Sequence, residues 1–180
     1  HIVGDDRLNA FVAGGRQVFI HTGLLMRADT PSQIMGVLAH EVGHITGGHL
    51  TRIHEQIRDS TAQAILGLLL GAAVAVATGN GAAGGAIIAG GQQAATNSFL
   101  QYTRTHESAA DAAALGFLDK AGLSACGMYE VLEMIGRQDQ AAGQGPDPYL
   151  RTHPLSSERM IAIANHMALS RHSRAVDPPA

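Results

Sequence analysis

The spacing of hydrophobic positions changes several times along the chain, and each change marks an element. Over residues 1–28 the pattern is extended. Asn9-Ala10-Phe11-Val12-Ala13 and Arg16-Gln17-Val18-Phe19-Ile20 flank the turn dipeptide Gly14-Gly15 and read as two paired strands. Thr22-Gly23-Leu24-Leu25-Met26 then opens a short helix that ends near Asp29. From Pro31 the period is helical, with Ile34, Val37, Leu38, Glu41 and Ile45 recurring on one stripe and Ala39 and Val42 filling in. Thr30 predicts the cap, Pro31 suits the first turn, and Gln33 stands where it closes a capping box. The pattern carries this helix to about Gln56 with Gly43, Gly47 and Gly48 as weak points, because glycine costs roughly 1 kcal/mol relative to alanine in a helix interior. Close approach of a neighbouring backbone is one reason for such glycines.

Residues 62–91 form a Gly- and Ala-rich insert. Ala64 to Ala77 is uncharged and apolar, short for a bilayer span and of the length expected for a buried or interfacial segment. Gly67 and Gly71 give it a small-xxx-small spacing that permits close helix contact. Asn80 and several glycines interrupt it before Ala86-Ile87-Ile88-Ala89, so the insert reads as a hairpin of close-packed helices or a lid. Internal packing, a self-association or partner surface, and membrane contact all remain open for it. Gln92–Leu118 is helical again, and small residues at 109, 110 and 112–114 let it approach the earlier helix closely. It stops at Ala121-Gly122, and Ser124 caps a helix over Met128–Ile135. Gln138–Pro148 reads as a loop, and Ser156 caps a last helix to about Leu169, with a tail or linker from about residue 170. Together these elements predict a single α+β domain over residues 1–180, mainly helical, with a small antiparallel sheet packed on the helix that starts at Pro31.

An apolar fraction of 46% in 180 residues supports a globular core. The net charge is −3, Lys120 is the only lysine, and no basic stripe forms, which argues against nucleic acid as a partner. Cys126 is alone, so no internal disulfide forms. The chain begins with His1 and lacks a signal-like segment, as expected of a processed or cut-down product.

The chemistry lies in Leu38-Ala39-His40-Glu41-Val42-Gly43-His44. On a helix, positions four apart differ by about 40° in azimuth and about 6 Å along the axis, so His40 and His44 can hold one ion from one face. Glu41 beside the first imidazole supplies the general base of a zinc hydrolase. A catalytic zinc needs a third protein ligand. Glu107 on a later helix is the choice, with Asp111 four residues on, placed to bond the far nitrogen of a ligating histidine. His106 is the rival but points about 100° away from that face. His49, about 180° round from His40 on a straight helix, is expected to be structural or solvent-facing, as is His54. His153 and Arg159 are candidate donors to the oxyanion of an addition step. The edge of the small sheet can accept a substrate chain as a further strand.

These pieces resemble a known family, the HtpX-like and CAAX-prenyl-protease-like zinc metallopeptidases of the gluzincins. The nearest likeness is to its BepA-like periplasmic members, which carry tetratricopeptide repeats after the protease domain. The likeness rests on Asn9-Ala10-Phe11, Gly23-Leu24-Leu25, the His40-to-His44 motif, Arg104-x-x-Glu107-x-x-Ala110-Asp111, and Thr152-His153-Pro154 followed by Arg159. They stand in family order over about residues 8–168. The resemblance implies that His40, His44 and Glu107 bind one Zn2+ per chain, that Glu41 is the base and that Asp111 supports a ligand. It implies that Asn9, Ala10 and the strand near Val18 hold peptide substrate, and that His153 lies close to the metal and can restrain activity. The implied function is a periplasmic endopeptidase acting on misfolded or unassembled envelope proteins, in contact with a membrane or with outer-membrane assembly machinery. Two departures stand out: the long transmembrane helices of the HtpX branch and of the prenyl proteases are absent, and so is any tetratricopeptide pattern, so that if the parent protein has those repeats this chain is expected to be its catalytic part. A narrow-specificity processing protease and a peptide-binding chaperone with suppressed proteolysis are the competing expectations.

Overall fold

The computed structural model describes residues 1–142, 149–150 and 153–176, without the side chains of 139–142. The elements given by the described residues are β1 (Ile2–Val3), β2 (Ala10–Ala13), β3 (Gln17–His21), α1 (Thr22–Arg27), α2 (Pro31–Thr46), α3 (His49–Thr78), α4 (Gly81–Ala121), α5 (Cys126–Ala142) and α6 (Ser157–Leu169). They divide into two compact units, one of residues 1–50 and 106–180 and the other of residues 51–105.

In the first unit, β2 and β3 form the antiparallel hairpin expected from the sequence, in the register Phe11↔Phe19 and Val12↔Val18. Gly14 (φ 57°) and Gly15 (φ 84°) turn the chain between them, in backbone space that favours glycine. The two-residue β1, too short to leave a pattern, joins β3 in parallel and makes the order β1-β3-β2. Val18 therefore lies on the central strand, and its carbonyl accepts from the terminal ammonium of His1 at 2.8 Å. β2 and the two-residue β1 are the edge strands. β1 pairs with β3 only at Ile20 and His21, so β2 is the longer edge of the sheet and Val18 lies on the strand next to it.

Helix α2 packs against β2 and, most extensively, against α5. A side-chain carbon at Gly36 would stand 2.6 Å from the Met128 Cα, and one at Gly127 would stand 2.3 Å from the Ser32 carbonyl carbon. The two helices meet backbone to backbone there. Leu24, Val37, Leu118, Val131, Leu132, Ile135 and Ile163 fill the core around this contact. Ser124 Oγ accepts from the Cys126 amide and Ser156 Oγ from the Arg159 amide, as the capping pattern predicts. The box expected at α2 does not form, since Thr30 makes no side-chain cap bond and Gln33 reaches past it to the preceding residue. Gln33 Oε1 accepts from the Asp29 amide, while Thr30 Oγ1 pairs with Ser32 Oγ.

Three boundaries differ from expectation. Helix α2 stops at Thr46 instead of running to Gln56, because Gly48 adopts φ +63° and the helix restarts at His49. Helix α5 continues to Ala142 through part of the expected loop, whose remainder, 143–148, lies outside the described residues. The stretch after Ser170 is tied down as far as Ser173, by Ser170 Oγ donating to Asp119 Oδ1 and Ser124 Oγ donating to the Ser173 carbonyl. Residues 177–180 and Thr152 of the Thr152-His153-Pro154 motif lie outside the described residues.

The second unit holds the hairpin of α3 and α4, which pack through glycine. A side-chain carbon at Gly67 would meet the Gly91 Cα at 2.8 Å, and one at Gly71 would meet the Gly84 carbonyl oxygen at 2.5 Å. Among the described residues, α3 is the one helix long and apolar enough to cross a membrane. The strictly apolar run Ala64–Ala77 understates it, since uncharged Ser, Thr and Gln residues extend the same helix.

Candidate metal centre

The stripe of α2 that faces the core is the stripe that carries His40 and Glu41, so the packing of this helix also buries its chemistry. His40 is 2% exposed and Glu41 is fully buried. Gly43 sets how near the acidic helix can come. A side-chain carbon there would lie 2.6 Å from the Ala110 carbonyl oxygen, so α2 and α4 touch through backbone one turn from Glu107. This realises the close approach that the small residues of both helices predict.

Four side chains then converge. His40 Nε2 is 3.0 Å from His44 Nε2 and 3.3 Å from Glu107 Oε2, and His44 Nε2 is 3.2 Å from Glu107 Oε1. His153 brings Nδ1 to 3.3 Å from both His40 Nε2 and Glu107 Oε2. The ligand atoms of all four lie within 4.8 Å of one another. Zinc bonds to nitrogen and oxygen of about 2.0–2.1 Å in a tetrahedron put neighbouring ligand atoms about 3.3 Å apart. The separations match, so the residues present fit a single zinc ion.

The surrounding charges hold this geometry. Asp111 Oδ1 is 2.9 Å from His40 Nδ1, the second-layer contact that fixes the tautomer with Nε2 turned inward. Arg159 donates from Nε to Asp111 Oδ2 at 2.6 Å and from Nη2 to Asp111 Oδ1 at 2.9 Å, while its Nη1 donates to the Pro154 carbonyl and lies 2.9 Å from Glu107 Oε2. Its guanidinium is thus committed to the two carboxylates. The structure gives Arg159 the role of a clamp on Glu107 and Asp111 in place of the expected oxyanion donor. Burial opposes the charge on Glu107, but His153, His40 and His44 outweigh it and hold this carboxyl far below the usual range. Burial likewise opposes ionisation of Asp111, and bonds from His40 and Arg159 reverse the balance and lower its pKa. Burial also works against a charged His40, yet its two carboxylate partners raise it to about 9 in the metal-free site. His44 moves the other way, because burial dominates and Glu107 is its one carboxylate partner.

Glu41 sits beside the cluster with both carboxylate oxygens buried and without a hydrogen-bond partner among the described residues. Its Oε1 is 3.5 Å from His153 Nε2. An ionisable group kept this dry is suited to taking a proton from a small polar molecule beside the ligand atoms. Asn9 precedes the edge strand β2, where its carbonyl accepts from the His21 amide, and its buried Oδ1 lacks a partner among the described residues. Ala10 is fully buried, so its side chain packs inward while its strand forms the edge.

Two neighbours of the cluster are not foreseen by spacing. The break at Gly47-Gly48 swings His49 back, so that its Nδ1 lies 3.0 Å from His44 Nδ1. With Nε2 of His44 turned to the ligand cluster, the His44 proton sits on Nδ1 and donates to His49 Nδ1, whose own proton is then on Nε2. His106 packs edge-on against the His49 ring, with centroids 4.1 Å apart, and stands outside the four-residue cluster. Tyr149 stacks on His153 with ring centroids 4.6 Å apart. A glycine pair after the second histidine and an aromatic residue four positions before His153 are the signals that point to them. His54 is exposed, as expected.

The sequence profile described as Peptidase family M48 matches residues 1–167. A putative beta-barrel assembly-enhancing protease of Vibrio cholerae is 36% identical over 162 residues, covering 88% of this chain and 32% of that protein. The beta-barrel assembly-enhancing proteases of Escherichia coli and Yersinia pestis are 29% and 28% identical, over 91% and 92% of this chain and 33% of theirs. The chain spans about a third of the length of these relatives. The matched residues include both histidines of α2, Glu107 and His153, and the chain belongs to peptidase family M48.

Proposed function

We propose that the chain is the catalytic part of a zinc endopeptidase that cleaves misfolded or unassembled polypeptides of the bacterial envelope, in the periplasm. The observation that carries this is the convergence of His40, His44, Glu107 and His153 next to the buried carboxylate of Glu41, which accepts no hydrogen bond from the described residues. His40, His44 and Glu107 would hold the ion. When bound, zinc polarises the scissile carbonyl and lowers the pKa of a water molecule. Glu41 accepts the proton of the attacking water on its carboxylate and returns it to the leaving nitrogen. Asp111 and Arg159 keep the ligands in place, and the edge of β2 next to Asn9 and Ala10 receives the substrate backbone as an added strand. The relatives' name, beta-barrel assembly-enhancing protease, supports an envelope substrate and contact with assembly machinery.

His153 supports a second reading of the same site. Its Nδ1 takes the fourth corner of the cluster, so the resting enzyme is latent and binds polypeptide without cutting until this histidine withdraws. Zinc content and cleavage of an unfolded protein, measured for the chain, Glu41→Gln and His153→Ala, test both readings. The enzyme reading expects one zinc in each and cleavage abolished by Glu41→Gln. Latency expects a faster His153→Ala. Metal-replete chain without stoichiometric zinc refutes the assignment.

A further inference from the structure

No charged side chain occurs from Ser60 to Thr103, which comprises most of the α3–α4 hairpin. Only 11% of the most apolar eighteen-residue window of α3 is buried. Gly67 and Gly71, 40° apart in azimuth, form the face that packs on α4. Ile65, Leu66, Leu68, Leu69 and Leu70 spread over roughly 200° of the remaining circumference and are each at least half exposed. Leu69 lies directly opposite the glycines and is 62% exposed. A helix face that docks on a protein is an apolar stripe bordered by polar positions. This helix lacks that border over two turns, and only a solvent that is apolar in every direction matches it.

Several polar groups of the hairpin bond within it, as hydrocarbon favours. At the tip, Thr78 Oγ1 donates to the Val74 carbonyl, the Asn80 amide donates to Thr78 Oγ1, and the Ala83 amide donates to Asn80 Oδ1. Along the stems, the Thr61, Thr96 and Thr103 hydroxyls each donate to the carbonyl four residues earlier, and Gln93 Nε2 donates to Asn97 Oδ1. The uncharged part of α3, Ser60–Thr78, is roughly 28 Å long at 1.5 Å per residue, close to the hydrocarbon thickness of a bilayer. Exposed Arg58, Asp59 and Arg104 flank the uncharged stretch in sequence, and arginines bordering an apolar segment are attracted to anionic headgroups.

We propose that the α3–α4 hairpin inserts tip-first into a phospholipid bilayer and tethers the chain to the membrane surface. This goes beyond the proposed peptidase function and stands or falls separately from the metal centre. The chain contains no tryptophan, so one introduced residue reports cleanly. Leu69→Trp places the reporter on the exposed face, and Ile161→Trp places a control on α6 at a position 58% exposed. Both are titrated with phosphatidylethanolamine–phosphatidylglycerol vesicles, with and without brominated acyl chains. The expected result is a blue shift and bromolipid quenching at position 69 and neither at 161. Unchanged emission at 69, or quenching equal at both positions, overturns the proposal. So does emission at 69 that is already blue without vesicles and reddens on dilution, since a second copy of the chain then covers the face. A charge supplies the second arm: Leu69→Glu should weaken vesicle partition about a hundredfold, Ile161→Glu should leave it unchanged, and both should bind zinc as the parent does. Equal flotation of Leu69→Glu and the parent chain overturns insertion.

Discussion

Gly43 stands between the two histidines of α2, and its replacement by alanine tests how far the site depends on the approach of α4. The added carbon would lie 2.6 Å from the Ala110 carbonyl oxygen and 3.0 Å from the Ala110 Cα. Both atoms belong to helix backbone, so relief requires the helices to separate by on the order of 0.5–1 Å, where close-packed interiors tolerate little change. Glu107 travels with α4. Its 3.2 and 3.3 Å separations from His44 and His40 then open towards about 4 Å, beyond the roughly 3.3 Å edge of a zinc tetrahedron. Stability should change less than binding, because overpacking costs about 1–3 kcal/mol while alanine recovers about 1 kcal/mol of helix propensity. The expected outcome is a metal-free protein destabilised by at most about 2 kcal/mol, with zinc affinity reduced at least about tenfold. Competition with a chromophoric chelator measures the affinity, and urea unfolding of the metal-free protein measures the stability. Gly116→Ala on the same helix is the control, since an added carbon there meets nothing within 4 Å. Zinc affinity of Gly43→Ala within a factor of two of the parent would refute the argument that backbone contact at Ala110 places Glu107.

Asp111→Asn removes the charge that faces both His40 and Arg159, and breaking a buried pair of this kind costs about 3–5 kcal/mol, with zinc affinity lowered about 10- to 100-fold. Chemical unfolding and zinc titration check this, and a loss of under 1 kcal/mol is inconsistent with the clamp role of Arg159. Zinc binding should release a proton at pH 7, because metal-free His40 titrates at about 9 and is charged below that value, whereas the ligating imidazole is neutral. Apparent affinity should therefore rise about tenfold per pH unit towards 9 and then flatten for this group, as titration calorimetry in buffers of different ionisation enthalpy will detect. His49→Leu should lower zinc affinity about tenfold by leaving the His44 Nδ1 proton without its acceptor, and His49→Asn should recover much of the loss, its amide oxygen accepting in place of the ring nitrogen. Equal affinities in the two variants would refute that positioning role.

The parts of the centre that sequence makes legible are those set by helical period. His40, Glu41 and His44 need only the 3.6-residue repeat, and Glu107 with Asp111 needs it again on a second helix, so both halves can be recognised before their meeting is known. What brings them together is Gly43 against Ala110, which the small residues of each helix foreshadow without giving the distance. Arg159 was harder to read for a physical reason. A lone arginine in the first turn of a helix that follows a histidine-bearing loop has the same sequence signature whether it faces substrate or clamps a carboxylate. Only the packing of α6 beside α4 turns its three donor nitrogens onto Asp111, Glu107 and the Pro154 carbonyl.

His49 shows how one backbone angle overrides a correct local rule. On an unbroken helix it faces away from His40, and helix periodicity places it there. At Gly48 the chain takes φ +63°, where an added carbon would meet nothing yet the backbone itself disfavours any side chain. The azimuth is reset at that point, and the ring of His49 returns to His44 across Gly47, where a side-chain carbon would come within 2.3 Å of the His49 ring. The two glycines therefore have distinct tasks: Gly48 permits the turn and Gly47 leaves room for the imidazole that the turn delivers. Each costs helix propensity, and together they end α2 one residue pair after its second ligand, which lets the next helix leave in its own direction while its first side chain stays to orient His44. The weak points in the helix pattern are thus the places where helical order is given up so that the metal ligand can be held from both sides.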